Sequence, residues 1–386
     1  MRLVHRQTLW TVPVAVVLLA SATVTHLVGA SRWAVVHLVL AGALVLLISA
    51  VTLMLAVTWA AAPAPPVVAV VIQRAAVVAG VWLVVMGREV GMASWVVVAG
   101  AALHVAGLLL LAGLLVTTVR RGVKRRFDVA VAGYVVALVA GSVAVVLGAV
   151  MSVDGAHLDL RRTHLVLNLL GLVGLVVMVT LPHFTATVVR SKMSPAARPP
   201  RPALILGWQT AAVAVAAVGL GLGESGPAAV GLGAYVVGIV ATGLVMPPPT
   251  ARQLRWAGPR LLALWGGIVW WAVVVGASAV EAARGSEVFV GRWLWVLVVA
   301  AFGQLVWGSL AYLLPVLRGG GHVRLAEGFA TMRSWVGLAA VNSAGVALVV
   351  GASSVALAAG VVWAIDWVWR VALLVVRGGS TADVRV

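Results

Sequence analysis

Residues 163–189, THLVLNLLGLVGLVVMVTLPHFTATVV, contain no Asp, Glu, Lys or Arg and are the clearest indication of the fold class. A helix needs about 20 predominantly apolar residues to cross the hydrocarbon core of a bilayer. The apolar residues here form continuous runs and do not alternate with polar ones, which excludes the strand pattern of an outer-membrane barrel. The stretch therefore predicts one membrane-spanning helix.

The same pattern recurs along the whole chain of 386 residues, of which 63% are hydrophobic and only 10% are charged. About a quarter of the residues of a soluble domain are charged, so this composition excludes a soluble enzyme. We predict an all-α, polytopic transmembrane helical bundle that forms a single domain over residues 1–386 in the lipid bilayer. The twelve predicted spans are 8–30, 33–59, 66–87, 92–117, 127–151, 163–189, 203–222, 227–246, 259–280, 291–316, 334–351 and 354–376.

The net charge of +17 is explained by topology. Most Lys and Arg residues lie in the two terminal segments and in every second connection, while the other connections carry mixed charge. Cytoplasmic loops of membrane proteins are enriched in Lys and Arg, so both termini are expected in the cytoplasm, and the location is expected to be the plasma membrane. The charge thus gives no reason to expect a nucleic-acid partner. The first span is longer than the apolar region of a signal peptide, which favours a retained span; cleavage would leave eleven.

Histidines are the most informative polar residues within the predicted spans. The chain has no cysteine, which excludes disulfides, iron–sulfur clusters and thiolate metal sites. His26 and His37 lie at similar depth on consecutive antiparallel spans, His164 begins the sixth span, His157 precedes it and His104 lies near the middle of the fourth. Neutral imidazole binds haem iron and copper, so these five residues are the candidate ligands. The alternative for each of them is a histidine that only hydrogen-bonds a neighbouring helix.

Four other polar residues are candidates for structural roles inside the bilayer. Asn168 lies on the same predicted helix face as His164, at 100° per residue. Gln304 is expected to make an interhelical hydrogen bond on a face of small residues. Asp366 and Arg370 are four residues apart and are expected to form an ion pair on one helix face, with a proton-relay element as the alternative.

The sixth span also resembles a known family. Residues Thr163 to Gly174 resemble the "HxHLNLLGxVG" stretch of membrane proteins related to haem–copper oxidase subunit I and to the NnrS family. His37 with the following Leu38 to Gly42 resembles the "HLxLxG" pattern of their second span, and Gly303 to Pro315 resembles their tenth. The resemblance implies haem or copper and a respiratory or nitrogen-oxide-related role.

The sequence departs from that family at the positions that matter most for oxygen chemistry. The tenth and seventh spans contain no histidine, and Val166 stands where the second histidine of the "HxH" pattern would be. We therefore expect no oxygen-reducing binuclear centre. The resemblance remains consistent with a haem b site or a copper site. The alternative is a protein that binds neither cofactor. The predicted haem ligands are His37, His164, His26 and His104, and the predicted metal ligands are His37, His164 and His157.

Three functions follow as hypotheses. The first is a membrane haem- or copper-binding protein that transfers electrons or senses, with a respiratory or cupredoxin-type partner. The second is a non-catalytic membrane subunit or assembly factor of a respiratory complex, and the third is a transporter of a metal or small molecule. The sequence does not decide whether the protein is an enzyme; at most, it is an oxidoreductase-type membrane component. The sequence sets no oligomeric state and contains no catalytic motif of the hydrolase, phosphate-loop or HExxH type.

Overall fold

The computed structural model describes residues 3–155 and 157–379, and within these ranges it is built from helices without any β-strand. The helices in chain order are α1 (Leu3–Leu27), α2 (Arg32–Ala60), α3 (Val67–Glu89), α4 (Ser94–Arg121), α5 (Asp128–Asp154), α6 (Leu158–Val188), α7 (Arg201–Gly221), α8 (Ser225–Val245), α9 (Ala251–Ala257), α10 (Pro259–Ala283), α11 (Gly291–Arg318), α12 (Gly321–Thr331), α13 (Trp335–Val350) and α14 (Ser353–Gly379).

Eleven helices in the described part of the chain are long and apolar enough to cross a membrane. A twelfth span is formed if α12 and α13, which meet at a bend of 41°, are counted together. The prediction of an all-α, polytopic helical bundle is thereby confirmed, and the chain is a multi-pass membrane protein. Both chain ends, which the sequence places in the cytoplasm, lie outside the described residues.

Two connections that the sequence predicts as loops contain short helices. Helix α9 begins with a capping box, in which the Thr250 hydroxyl accepts from the Gln253 N–H and the Gln253 side chain reaches back to the Thr250 N–H. These reciprocal bonds satisfy backbone donors that are otherwise unpaired at a helix start. Helix α12 lies in the predicted loop 317–333, where Gly319 and Gly320 take positive φ angles and separate it from α11.

Three of the spanning helices contain a π-helical segment, in which each backbone hydrogen bond spans one residue more than in an α-helix. The segments are Leu38–Leu44 in α2, Leu167–Gly174 in α6 and Leu297–Gly303 in α11. Such segments are rare and are concentrated at functional sites. Two of the three follow a candidate histidine ligand along the chain, at His37 and at His164.

The chain divides into two compact units. The first comprises the residues up to Thr180 together with Arg198–Gly231, and the second comprises Leu181–Ala197 together with the residues from Leu232 onward. In the first unit, buried side chains of α1, α2 and α3 form one apolar cluster, which includes Leu18, Leu38 and Val81. This cluster surrounds the part of α2 that follows His37, so His37 is carried on a well-packed helix.

Helices α3 and α4 of the first unit approach closely at glycines. A Cβ atom added to Gly100 would lie 2.7 Å from the Cβ of Leu83 and 2.8 Å from the backbone nitrogen of Val84. The Gln73 amide spans the same contact, donating hydrogen bonds of 3.2 Å to the Gly107 carbonyl and to the Ser49 hydroxyl. Small residues let membrane helices pack backbone to backbone, and this packing places His104 against α3.

We expect Gly100→Ala to destabilise the protein by about 1–3 kcal/mol, because the added methyl group must push α3 and α4 apart. The measurement is the free energy of unfolding in mixed detergent micelles. Gly113→Ala on the same helix is the matched control, since nothing lies within 4 Å of its added Cβ. Equal effects of the two substitutions would contradict the close helix contact.

Candidate functional site

Two of the five candidate histidines come together in the first unit. The ring centroids of His37 on α2 and His164 on α6 are 6.3 Å apart, and the ring planes are inclined by 25°. Both side chains are half-buried. The structure therefore brings residues 127 positions apart in sequence into one pair of imidazoles within the membrane-spanning region.

The ring of His37 is held from its own helix and from α3. Its Nδ1 donates a hydrogen bond of 2.8 Å to the Trp33 carbonyl, and the Trp33 ring lies against it with a centroid separation of 4.1 Å. Ser31 caps the N-terminus of α2 by accepting from the Ala34 N–H, while the Ser31 N–H donates to the Glu89 carboxylate at 3.1 Å. These contacts fix the start of α2, and with it the position of His37.

The ring of His164 is held mainly by α5. Its Nδ1 donates a hydrogen bond of 2.7 Å to the Ala144 carbonyl. One turn further along α5, Gly148 leaves the space that the ring occupies, since an added Cβ would lie 3.1 Å from the ring Cε1. The Asn168 amide lies 3.3 Å from the ring Nε2 and donates at 3.0 Å to the His164 carbonyl.

The two Nδ1 hydrogen bonds decide which ring nitrogen is free to bind a metal. A backbone carbonyl can only accept, so in each neutral ring the proton lies on Nδ1 and the lone pair lies on Nε2. Metal-binding histidines in proteins show the same arrangement, in which one nitrogen donates to a carbonyl and the other faces the metal. In their neutral forms, His37 and His164 therefore carry the lone pair on Nε2, the nitrogen that would bind a metal.

The other candidate histidines are placed differently. His104 is buried on α4, donates from Nδ1 to the Val77 carbonyl at 3.2 Å, and lies within electrostatic range of His37. His26 near the end of α1 and His157 before α6 are exposed, and no ring contact links either of them to the pair within the described residues. His183 is buried further along α6, in the second unit.

The described residues contain no group of three or more His, Asp or Glu side chains that could hold a metal ion. The His37–His164 pair is thus a two-ligand arrangement. An imidazole nitrogen binds a first-row metal at about 2 Å, so two rings that share one ion have centroids roughly 6 Å apart. The centroid separation of 6.3 Å leaves room for one ion between the rings, so His37 and His164 would hold a haem iron or a copper ion through Nε2, whereas a four-ligand zinc site would need further donors.

Several residues that support the His37–His164 pair are not among the candidates predicted from the sequence. Ala144 and Gly148 carry no functional side chain, and their contribution is a carbonyl group and an empty space. Arg88, whose guanidinium carbon lies 4.2 Å from the Trp33 ring centroid, is not among the residues selected from the sequence. The sequence contains one signal for this support: Trp33 lies four residues before His37, a spacing that places the two rings on the same face of a helix.

The second unit contains a separate polar network around Gln304. The Gln304 side chain is fully buried, and its carbonyl accepts from the Asn342 amide at 3.0 Å. The Trp270 indole N–H donates to the other end of Asn342 at 2.9 Å. Gln304 therefore forms an interhelical hydrogen bond, and its partner Asn342 on α13 was not predicted. The network joins three helices and satisfies its own donors and acceptors, which is typical of a structural role.

We expect Asn342→Leu to lower the free energy of unfolding by about 1–2 kcal/mol, because it leaves the Gln304 carbonyl and the Trp270 N–H without partners. The same substitution at the neighbouring, exposed Ser343 is the control. Unfolding in mixed micelles measures both variants. An equally stable Asn342→Leu protein would show that the network contributes nothing.

The predicted ion pair within α14 is also formed. The Arg370 Nε lies 3.0 Å from the Asp366 Oδ1, and the Arg370 Nη1 donates to the Thr331 carbonyl of α12 at 2.8 Å. Each group thus has a protein partner, and the pair connects α14 to α12. This geometry favours a structural pair, since both ends of the guanidinium are already engaged.

Comparison of the chain with protein-family models, with curated proteins and with solved structures gives no match. The geometry of the His37–His164 pair is therefore the basis on which a function is assigned.

Proposed function

We propose that the protein is a membrane-embedded redox protein that holds a single haem or copper ion through His37 and His164. The observation that supports this is the pair of imidazoles with ring centroids 6.3 Å apart, each with its Nδ1 hydrogen-bonded to a backbone carbonyl. The resemblance of the second and sixth spans to haem–copper oxidase subunit I and NnrS-like proteins points to the same two residues. In this proposal the protein lies in the plasma membrane, and its partner is a respiratory or cupredoxin-type protein.

The residues around the pair supply orientation. The carbonyl groups of Trp33 and Ala144 keep the protons on Nδ1, and they raise the basicity of the opposite nitrogens. A haem held by His37 and His164 would supply electron transfer in preference to ligand activation. Two imidazole ligands on one ion support electron transfer or sensing in this proposal.

Asn168 contributes a polar contact on the metal-binding side of His164. Its amide lies 3.3 Å from Nε2, where it can donate to the lone pair of the ring. A metal ion held at Nε2 would use that lone pair in place of the Asn168 amide, which also donates to the His164 carbonyl at 3.0 Å. Asn168 is thereby placed to stabilise the metal-free ring.

The test is the metal and haem content of the detergent-purified protein, with absorption spectra in the oxidised and dithionite-reduced states. We expect one haem b or one copper ion per chain, and a loss of at least tenfold in occupancy in His37→Ala and in His164→Ala. His26→Ala and His157→Ala are the matched controls, because both histidines are exposed and lie outside the pair. A folded wild-type protein without haem or metal would reject the proposal and favour a non-catalytic membrane subunit or a transporter.

A further inference from the structure

Two arginines flank a pair of aromatic rings in the second unit, and a third arginine lies close by. The guanidinium carbon of Arg190 lies 3.8 Å from the Trp256 ring centroid, and that of Arg260 lies 4.4 Å from the Phe329 centroid. Arg260 also lies 5.3 Å from the Trp256 centroid, so both guanidinium groups flank the same indole. Arg333 lies against Gly258, directly before α10, and within electrostatic range of Arg260. Arg190, Arg260, Arg333, Trp256 and Phe329 are here called the arginine cluster.

Arg260 is the member that most needs a partner. Its side chain is 3% exposed, and its Nη2 donates to the Trp256 carbonyl at 3.1 Å. The Nε and Nη1 groups are also buried, and neither has a hydrogen-bond partner. The aromatic rings contact the faces of the guanidinium, whereas its N–H groups point outward in the plane and need acceptors.

The described residues supply no acidic partner for the cluster. None of Arg190, Arg260 and Arg333 forms an ion pair there, and the half-buried carboxylate of Asp366 is already bound to Arg370. Buried charges in proteins are normally paired or bound to a ligand of opposite charge. The unsatisfied guanidinium of Arg260, with two further positive groups beside it, therefore calls for an anion from outside the chain.

The position of the cluster shows from which side the anion comes. Arg190 follows the end of α6, Arg260 begins α10 and Arg333 precedes α13, and the charge pattern places all three connections on the cytoplasmic side. Arg190 and Arg333 are exposed, whereas Arg260 is buried, so the cluster has an accessible rim and an enclosed base. Arg190 also has a φ of 55°, an uncommon conformation for a residue with a side chain.

We propose that the arginine cluster is a binding site for a phosphate-type oxyanion at the cytoplasmic face of the membrane. Guanidinium groups match the oxygens of phosphate in geometry and charge, and they are only weakly hydrated, so they suit a partly buried site. The phosphate belongs either to the headgroup of an anionic phospholipid or to a free phosphate in the cytoplasm. This site lies in a different unit from the histidine pair, and the inference does not depend on the proposed redox function.

Two binding measurements on the full-length protein in uncharged detergent distinguish the sources. The first titrates inorganic phosphate against chloride at equal ionic strength and follows the thermal unfolding midpoint, which rises when a ligand binds the folded state. The second adds phosphatidylglycerol or phosphatidylcholine and counts bound lipids by native mass spectrometry. Stabilisation by inorganic phosphate identifies a free anion, and selective retention of phosphatidylglycerol alone identifies a lipid headgroup.

The variants Arg190→Gln and Arg333→Gln are expected to weaken binding of the effective probe by tenfold or more each. Both side chains are exposed, so the variants are expected to fold, and Arg252→Gln is the matched control because it removes an exposed arginine of α9 outside the cluster. Wild-type protein that binds neither probe would overturn the proposal. Binding that Arg190→Gln and Arg333→Gln leave unchanged, or that Arg252→Gln weakens equally, would overturn it as well.

Discussion

Replacing Asp366 with leucine is expected to lower the free energy of unfolding by about 3 kcal/mol, the largest effect on stability that we predict for a single substitution. The carboxylate accepts from the Arg370 Nε at 3.0 and 3.1 Å, and the two side chains are only 13% and 21% exposed. Removing one partner leaves the guanidinium charge with the Thr331 carbonyl as its remaining acceptor. Reversible unfolding in mixed micelles gives the difference.

The double variant Asp366→Leu/Arg370→Leu distinguishes two contributions to the lost stability, namely the missing ion-pair interaction and the cost of leaving the Arg370 guanidinium unpaired. Since replacing both partners of a buried pair by apolar groups is often neutral, we expect it to recover most of the lost stability. Glu327→Gln is the control, because it removes an exposed carboxylate from the adjacent α12. A double variant as unstable as Asp366→Leu would show that the pair contributes something other than charge compensation.

Replacing Gly148 with leucine is expected to reduce haem or copper occupancy by at least tenfold, although the substitution removes no ligand. The first side-chain atom alone would lie 3.1 Å from the Cε1 and 3.3 Å from the Nδ1 of His164. The rest of the leucine must displace the ring and break its bond to the Ala144 carbonyl, and loss of such supporting contacts typically costs 10–100-fold in metal affinity. The spectra and metal analysis used for the wild-type protein measure the effect.

The control for this prediction is Val146→Leu, which places the same side chain on an exposed position of α5. We expect it to retain full occupancy. Full occupancy in Gly148→Leu would contradict the role assigned to His164, while loss in both variants would indicate a general disturbance of α5.

Most of the fold could be predicted from the sequence, because crossing a bilayer imposes one simple requirement. Long apolar runs such as residues 163–189 have no other stable solution, and eleven helices of the described residues are long and apolar enough to span a membrane. The predicted span 334–351 corresponds to α13, which is long enough only when it is counted together with α12. The helices in the loops are different. α9 depends on a four-residue capping box from Thr250 to Gln253, which is a local signal that can be read from the sequence, whereas α12 has no such cap.

The histidine pair could be predicted only in part. Depth in the membrane follows from position along a span, which made His26, His37, His104, His157 and His164 candidates. Contact between two of these histidines depends on the rotation of each helix about its axis and on which helices pack side by side. A single sequence determines neither. His26 and His157 therefore remain predicted ligands that the structure leaves exposed. Ala144 supports His164 through its backbone carbonyl and Gly148 through the absence of a side chain, and neither contribution can be recognised from the residue type.

The under-wound stretches of α2, α6 and α11 have a consequence for how the chain tolerates insertions and deletions. Losing one residue from an ordinary spanning helix turns everything beyond it by about 100° and exchanges lipid-facing for buried side chains. A π-helical segment already accommodates surplus backbone, so a deletion within Leu38–Leu44 or Leu167–Gly174 can be absorbed by returning to α-helical winding. These segments are therefore where lengths can vary among related chains without reversing the faces of the helices that carry His37 and His164.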